Sequence, residues 1–304
     1  MDTSVKLGEL TLRNPVIPAS GTFGFGHEMA KWYDLNRLGA VALKGTTREA
    51  RFGNPTPRVA ECEAGLLNAV GLQNPGVDAV VREELPRLRA VYSGPVIANV
   101  CGFSAEEYVE VARRFDEAGA DILEINVSCP NVRHGGLAFG ASPEAAAAIT
   151  AAVKAAVKKP VYMKLSPNAA DIAAVARACE EAGADGLTLI NTLLGMRVDP
   201  RTGRPLVSTV TSGFSGPAIK PVALRMVFEV CRAVKIPVVG VGGIASADDL
   251  LEFLSAGASA VQIGAQNLVD PYACLRVVEE LPKRMEEYGI RDLKSIIGRT
   301  GNGK

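Results

Sequence analysis

Residues 117–127 read EAGADILEINV, and residues 181–191 read EAGADGLTLIN. In both stretches a Gly-Ala pair stands just before a run of apolar residues. Glycine supplies the left-handed residue that commonly ends a helix, so each stretch predicts a helix followed at once by a strand. The apolar runs do not alternate with polar residues, which indicates strands buried on both faces, as in a parallel sheet.

Eight apolar runs of this kind recur along the chain, and a turn and a helical pattern follow each one. Gly-Ala precedes four of them, and proline, which prevents a helix from continuing, precedes the other four. The predicted strands are residues 16–19, 41–44, 96–100, 122–127, 161–165, 186–190, 238–241 and 261–264. This regular alternation predicts a (β/α)8 TIM barrel formed by one domain, residues 1–304. A doubly wound open sheet is the alternative, although the repeat shows no central reversal of strand order.

Two connections, residues 45–95 and 191–237, are too long to be simple turns of a barrel. Long loops in a compact domain are usually functional. Both follow the carboxyl ends of strands, the face on which barrel enzymes carry their active sites. We therefore expect both insertions to cover one site.

The composition excludes several classes of protein. The 33 basic residues balance 33 acidic ones, which argues against a partner such as nucleic acid or an anionic membrane. Six cysteines without a C-x-x-C pair indicate free thiols rather than a zinc ribbon or an iron–sulfur cluster, and two histidines exclude a metal site built on several imidazoles. The chain shows no signal peptide and no apolar run of about 20 residues, so we expect a cytoplasmic protein without a metal.

Polar side chains stand where the predicted strands end, and in a barrel these ends meet on one face. They include Ser20, Lys44, Asn99, Asn126, Lys164 and Asn191. A side-chain amide offers one acceptor and two donors, which matches the edges of a pyrimidine or a flavin ring. The set therefore predicts binding of a planar heterocycle. Glu124, inside the fourth strand, is interpreted as a structural polar residue that could pair with a lysine.

Glycines follow the last two strands, at Gly242, Gly243 and Gly264, with Ala265 next to the last of these. Barrels often bind a phosphate there through backbone N–H groups and a helix N-terminus, here the helix beginning at residues 246–249. A tight turn is the alternative reason for the glycines. Residues 240–245 also match the dinucleotide fingerprint, but the acidic residue expected about 20 positions later is missing, so we reject that interpretation.

Cys129 follows the fourth strand and begins a glycine-rich segment that could close over a ligand. Most lone cysteines are small buried hydrophobes, and Cys179, Cys231 and Cys274 are interpreted in this way. The position of Cys129 makes its thiol a candidate base or nucleophile. Lys164, at the end of the fifth strand, would equally suit a Schiff-base lyase.

Six motifs in this order resemble the class 1 dihydroorotate dehydrogenases, from about residue 5 to the last helix. They are NPVIPASGTFGFG (14–26), KGTT (44–47), NAVGLQNPG (68–76), NVSCPN (126–131), INT (190–192) and VGGI (241–244). GTFGFG (21–26) and GGLAFG (135–140) most resemble class 1B, the NAD-linked catalytic subunit.

The resemblance implies that the barrel binds FMN and oxidises dihydroorotate to orotate in pyrimidine biosynthesis. It assigns Cys129 as the base that removes the C5 proton and places Lys164 against the N1/O2 edge of the flavin. The residues implied to contact FMN are Ser20, Lys44, Gly45, Asn99, Asn126, Lys164, Ile190, Gly216, Gly242, Gly243, Gly264 and Ala265. Those implied to contact the substrate are Lys44, Asn68, Ala69, Val70, Gly71, Leu72, Asn126, Asn191 and Thr192.

The resemblance also implies a partner, because class 1B enzymes pass electrons to NAD+ through an iron–sulfur flavoprotein subunit. That subunit carries FAD and a [2Fe-2S] cluster, and the assembly is a heterotetramer of two plus two built on a dimer of this chain. A fumarate-reducing homodimer of class 1A type stays open. So do a Schiff-base lyase that uses Lys164 and a barrel that binds a phosphate ligand without catalysis.

Overall fold

The computed structural model describes residues 1–128 and 139–301. The predicted base Cys129 and the segment up to residue 138 therefore lie outside the described residues. The strands are β1 (Val5–Leu7), β2 (Leu10–Leu12), β3 (Val16–Pro18), β4 (Val41–Ala42), β5 (Val59–Cys62), β6 (Gly65–Asn68), β7 (Val96–Val100), β8 (Ile122–Asn126), β9 (Val161–Lys164), β10 (Gly186–Leu189), β11 (Leu193–Gly195), β12 (Ser212–Ser215), β13 (Val238–Val241) and β14 (Ala260–Ile263).

Within the described residues, eight parallel strands form the central sheet, in the order β3-β14-β13-β10-β9-β8-β7-β4. Where β3 meets β4, the Gly39 N–H donates to the Val16 carbonyl oxygen at 3.0 Å, so the sheet is a nearly closed barrel. The predicted TIM barrel is confirmed. The doubly wound alternative is wrong, because the strand order does not reverse.

The predicted strands agree with the observed ones to within one or two residues at their ends. The second strand, β4, is shorter than its predicted range of 41–44. Hydrogen bonds to β7 nevertheless continue beyond it, because the Leu43 N–H donates to the Ile97 carbonyl oxygen and the Thr46 N–H to the Asn99 carbonyl oxygen, both at 2.9 Å. Lys44 lies between them at the carboxyl face of the barrel.

Helices connect the barrel strands and pack around them. They are α1 (Val77–Ala79), α2 (Leu85–Arg89), α3 (Ala105–Glu117), α4 (Pro143–Lys154), α5 (Ile172–Glu181), α6 (Lys220–Ala233), α7 (Ala247–Ala256), α8 (Gln266–Val269) and α9 (Ala273–Glu287). A π-helical turn, Val80–Glu84, joins α1 to α2. Ser104, Ser142, Asp171 and Ser246 cap the N-termini of α3, α4, α5 and α7 through their side-chain oxygens. Each cap stabilises its helix by about 0.5–2 kcal/mol.

A glycine precedes each of the barrel strands β4, β8, β10 and β14, and these glycines serve two purposes. Gly119, Gly183 and Gly257 have positive φ and end helices, as the sequence predicted. Gly39 has no such φ. A Cβ there would lie 2.0 Å from the Asn14 carbonyl oxygen, so this glycine is needed for close packing of the backbone instead.

The two long insertions together build a smaller antiparallel sheet in the order β11-β12-β6-β5. Residues 45–95 supply β5 and β6, and residues 191–237 supply β11 and β12. Asn68 of β6 lies opposite Gly213 of β12, which joins the two insertions directly. The sequence predicted the insertions but not this sheet, and it did not predict the β1–β2 hairpin at the N-terminus.

Apolar side chains fill the layer between the barrel strands and the helices. Phe115 of α3 and Phe253 of α7 are fully buried in this layer. Burying one such side chain contributes about 1.5–3 kcal/mol. Among the described residues, no helix combines the length and the apolar character needed to cross a membrane.

Candidate active site

A cavity of about 300 Å³ lies at the carboxyl ends of the barrel strands. Every residue predicted to contact FMN lines it, from Ser20 in the first loop to Ala265 in the last. Of the residues predicted to contact the substrate, only Ala69 does not line it, because this residue is fully buried beside the cavity. Cys129 lies outside the described residues.

Both insertions contribute to the wall of the cavity. Val59, Leu66 and Asn68 come from the first insertion, and Thr192 and Ser215 from the second. The smaller sheet therefore covers the barrel mouth from one side. This is the arrangement that the lengths of the insertions predicted.

The floor of the cavity carries a buried ion pair. Lys164 Nζ, at the end of β9, lies 3.2 Å from Glu124 Oε1 of β8. The same Nζ lies 3.1 Å from Gln262 Oε1 and 3.3 Å from Ser20 Oγ. Lys164 is 4% exposed and Glu124 is not exposed at all, so both charges are shielded from water. The Lys164 side chain is thus held at a fixed place in the cavity floor.

Beside this ion pair, amide side chains are joined in a chain of hydrogen bonds. Asn99 Nδ2 donates to Glu124 Oε1 at 2.6 Å, and Asn126 Nδ2 donates to Asn99 Oδ1 at 3.2 Å. Ser128 Oγ in turn donates to Asn126 Oδ1 at 2.9 Å. Tyr108 of α3 anchors the backbone below, because its hydroxyl donates to the Asn126 carbonyl oxygen at 2.8 Å. Asn99 and Asn126 therefore belong to one connected group of polar side chains.

The loops after β13 and β14 also line the cavity, and several of their backbone N–H groups have no acceptor within residues 1–128 and 139–301. In the part of the chain that the structure describes, the N–H groups of Gly243, Ile244, Gly264 and Ala265 make no hydrogen bond. Gly243 has a φ of 72°, which only glycine adopts without strain, and this conformation turns the loop at the cavity edge. Such N–H groups suit an anion.

The N-terminus of α7, which the sequence predicted to take part in phosphate binding, is capped in part by side chains of this chain. Asp249 Oδ2 accepts the N–H groups of Ala245 and Ser246 at 2.9 Å, and the N–H of Asp249 bonds to Ser246 Oγ. Lys220 Nζ lies 2.5 Å from Asp249 Oδ1. Burial raises the pKa of the Asp249 carboxyl, but the hydrogen bonds from Lys220, Ala245 and Ser246 outweigh this effect and lower it. Side chains of this chain thus accept the N–H groups of Ala245, Ser246 and Asp249, and the role of the helix N-terminus in phosphate binding stays a prediction.

The thiols that the sequence interpreted as small hydrophobes behave as such. Burial raises the pKa of Cys179 to about 11 and that of Cys231 to about 12, and it raises the pKa of Cys274 further. Thiols with such pKa values are poor nucleophiles at neutral pH. Cys101 lies close to the amide chain, with its Sγ 3.4 Å from Asn99 Oδ1.

Sequence reasoning missed several residues of the cavity. It also missed Gln262, which does not line the cavity but accepts a hydrogen bond from Lys164 Nζ; this residue carried a usable signal, because it is polar inside an apolar run. Val59, Leu66 and Ser215 carried none, since they reach the cavity through the smaller sheet. The interpretation of Glu124 as a buried polar residue paired with a lysine is confirmed.

Comparison with known proteins places the chain in a family. The family model described as dihydroorotate dehydrogenase matches residues 3–285. A protein of Anoxybacillus flavithermus named dihydroorotate dehydrogenase B (NAD(+)), catalytic subunit, is 58% identical over 300 residues, which cover 98% of this chain and 96% of the relative. Proteins of the same name from Geobacillus kaustophilus and Enterococcus faecalis are 55% and 51% identical, over 98% and 99% of this chain and 95% and 97% of their own lengths. The chain belongs to the dihydroorotate dehydrogenase family.

Proposed function

We propose that this chain, as a single domain of residues 1–304, binds FMN in the cavity and oxidises (S)-dihydroorotate to orotate in pyrimidine biosynthesis. The observation that carries the proposal is the convergence, in one cavity, of a buried lysine, connected amides and unpaired loop N–H groups. The family of the chain and the names of its relatives support the same reaction.

The residues present fit a flavin mononucleotide. The N–H groups of Gly243, Ile244, Gly264 and Ala265 supply donors for its phosphate. A Cβ at Gly264 would have only Ala19 Cβ nearby, at 3.6 Å, so that the absence of a side chain leaves space along this part of the cavity. Lys164 and the amides of Asn99 and Asn126 offer the donors and acceptors that the edge of a flavin ring requires.

FMN, when bound, supplies the acceptor for the hydride that leaves C6 of dihydroorotate. We assign Cys129 as the base that takes the proton from C5. Asn68, Asn126, Asn191 and Thr192 would hold the amide, imide and carboxylate groups of the substrate. Lys164 places positive charge at the cavity floor, which favours negative charge on a bound ring.

We further propose that electrons leave this chain for NAD+ through an iron–sulfur flavoprotein subunit with FAD and a [2Fe-2S] cluster, in a two-plus-two heterotetramer. The words "catalytic subunit" and "NAD(+)" in the names of the relatives support this route. A class 1A-type homodimer that reduces fumarate is the second candidate. A Schiff-base lyase is disfavoured, because Lys164 Nζ already lies within 3.3 Å of three oxygen atoms.

The test is spectroscopic. Purified protein should absorb as a flavoprotein, release FMN on denaturation, and lose its flavin absorbance when (S)-dihydroorotate is added without oxygen, with orotate formed in equal amount. A colourless protein that borohydride links to a carbonyl substrate at Lys164 would overturn the proposal in favour of the lyase. FMN that dihydroorotate does not reduce would overturn the assigned substrate alone.

A further inference from the structure

We propose that Glu124 is the positioning residue of this site: its carboxylate holds Lys164 at the cavity floor and sets the direction of the amide chain through Asn99 to Asn126. The inference rests on the proposed function, since it concerns the residues assigned to FMN and substrate. It adds a role for a residue that does not line the cavity.

Both oxygens of Glu124 are engaged. Oε1 accepts from Asn99 Nδ2 at 2.6 Å and from Lys164 Nζ at 3.2 Å, and Oε2 accepts from Gln262 Nε2 at 2.6 Å. Gln262 closes the cluster, because its own Oε1 accepts from Lys164 Nζ at 3.1 Å. Glu124, Gln262 and Asn99 are all fully buried. Water therefore offers none of these groups an alternative partner.

The strand register explains why the carboxylate lies beneath the ammonium. Lys164 is opposite Asn126 across the β8–β9 pair, and Glu124 precedes Asn126 by two residues on the same face of β8. Glu124 thus lies one layer of side chains below Asn126, toward the amino-terminal ends of the strands. Across the described ranges of the chain, three side-chain oxygens accept hydrogen bonds from Lys164 Nζ. Of the three residues that carry them, only Ser20 lines the cavity. The contacts to Glu124 and Gln262 therefore hold the ammonium from below.

An ionised carboxylate only accepts hydrogen bonds, and this fixes the direction of the amide chain. Asn99 must turn its NH₂ group toward Glu124, which leaves its oxygen for Asn126 Nδ2 at 3.2 Å. Asn126 must then turn its oxygen toward Ser128, whose Oγ donates to it at 2.9 Å. Glu124 in this way links Lys164, which we place beside the flavin, to Asn126, which we assign to the substrate.

Removing one member of a buried ion pair leaves the other charge without a partner, which costs more than removing both. Replacing Glu124 by glutamine keeps the shape of the side chain but removes its charge and adds a donor. Lys164 then loses its counter-ion, and the new NH₂ group allows Asn99 to face either way. We expect weaker binding of both FMN and orotate, a midpoint potential of the bound flavin that departs from the wild-type value, and no defect at distant sites.

The experiment compares purified holoproteins carrying Glu124→Gln, Lys164→Met and both changes with the wild type. FMN dissociation is followed by the recovery of FMN fluorescence on dilution, orotate binding by the shift of the flavin spectrum, and the midpoint potential by equilibration with reference dyes. Each single change should weaken FMN binding at least tenfold. The double variant should bind FMN no more weakly than Lys164→Met alone, because it contains no unpaired buried charge. Glu117→Gln removes an exposed carboxylate at the end of α3 and should match the wild type.

Two results would overturn the inference. One is wild-type FMN binding and midpoint potential in Glu124→Gln, and the other is a loss in the double variant equal to the product of the single losses. If Glu124→Gln does not fold, the same measurements are made on Glu124→Asp, because aspartate keeps the negative charge. Midpoint potential and orotate affinity nearer to wild type than to Lys164→Met support the inference, and values equal to those of Lys164→Met contradict it. A wild-type protein that binds no FMN would instead refute the proposed function.

Discussion

Ser128 Oγ accepts a hydrogen bond of 2.8 Å from Asn191 Nδ2, although 63 residues separate them in sequence. Ser128 is the residue before Cys129, and Asn191 is a residue to which we assign substrate binding. The Asn191 oxygen accepts its neighbour's backbone N–H, that of Thr192, at 2.7 Å, so the direction of this amide is fixed as well. The backbone that leads into Cys129 is therefore tied to the substrate side of the cavity.

This tie makes Cys129 the first residue to test. Cys129→Ala should retain FMN and the fold but lose 10²–10⁴-fold in dihydroorotate oxidation, the range expected when a general base is removed. Turnover with an artificial acceptor and the flavin content of the purified protein are the measurements. Cys179→Ala is the control, because this thiol is buried in α5 and does not line the cavity.

Cys129→Ser tests whether the thiol acts as a base or only fills space. A serine hydroxyl is far less acidic than a thiol, so its deprotonated, proton-accepting form is scarcely populated at neutral pH, and this variant should also turn over slowly. Near-normal turnover of Cys129→Ala between pH 7 and pH 9 would show that the thiol does not carry the proton. The control variant should turn over normally across the same range.

The glycine loops allow a matched pair of substitutions. Gly264→Ala should leave the unfolding temperature unchanged, because its Cβ would meet only Ala19 Cβ at 3.6 Å, but it should weaken FMN binding by about tenfold. Gly243→Ala should lower stability by roughly 1–2 kcal/mol or more, because φ is 72° and the Cβ would lie 2.8 Å from the Lys220 nitrogen. Thermal unfolding and FMN retention on ultrafiltration distinguish the two. A Gly264→Ala protein that keeps FMN as firmly as the wild type would argue against phosphate binding at this loop.

The barrel was predictable because its signals are local. Gly119 and Gly183 end helices within two or three residues of the strands that follow, and a proline precedes Val96 and Val161. The smaller sheet was not predictable, since Asn68 pairs with Gly213 across 145 residues and neither strand alternates clearly. Because the strands of a barrel are parallel, their carboxyl ends meet on one face, and the sequence could identify many of the residues that line the cavity there. It could not show that Ala69 does not line the cavity although Asn68 and Val70 beside it do.

The capping of α7 by Asp249 could not be predicted from the sequence. The sequence showed glycines followed by a helix start, a pattern typical of a phosphate site. It could not show that Asp249 would turn back onto the N–H groups of Ala245 and Ser246. The Glu124–Gln262 contact was out of reach for a similar reason, because it joins residues 138 positions apart.

Asp249 gives a prediction for pH dependence. Its folded pKa is lowered from an ordinary value of 3.8, so its contribution to stability is complete well above pH 3.8 and is lost as the pH falls toward the folded pKa. Asp249→Asn should therefore be about 1 kcal/mol less stable than the wild type at pH 7, the usual size of a cap contribution. The difference should shrink below pH 4. Urea unfolding at pH 7, 5 and 3.5 measures it, and a difference that does not vary with pH would contradict the assigned ion pair with Lys220.

The remaining question is where the electrons go. The glycine motif of residues 240–245 spans the end of β13 and the loop after it, whose free N–H groups we assign to the FMN phosphate, so it does not offer a separate site for a dinucleotide. Substrate and FMN would share the one cavity that the smaller sheet covers. NAD+ would then have no direct access to the hydride.

We therefore expect the isolated chain to reduce dichloroindophenol with dihydroorotate but not NAD+. Adding the iron–sulfur flavoprotein of the same organism should produce NAD+ reduction, followed at 340 nm, together with a larger complex on size-exclusion chromatography with mass detection. The Cys129→Ala chain should form the same complex without supporting turnover, which separates docking from chemistry. Efficient NAD+ reduction by the isolated chain would refute the two-subunit route. Efficient fumarate reduction by that chain would move the assignment to the class 1A type.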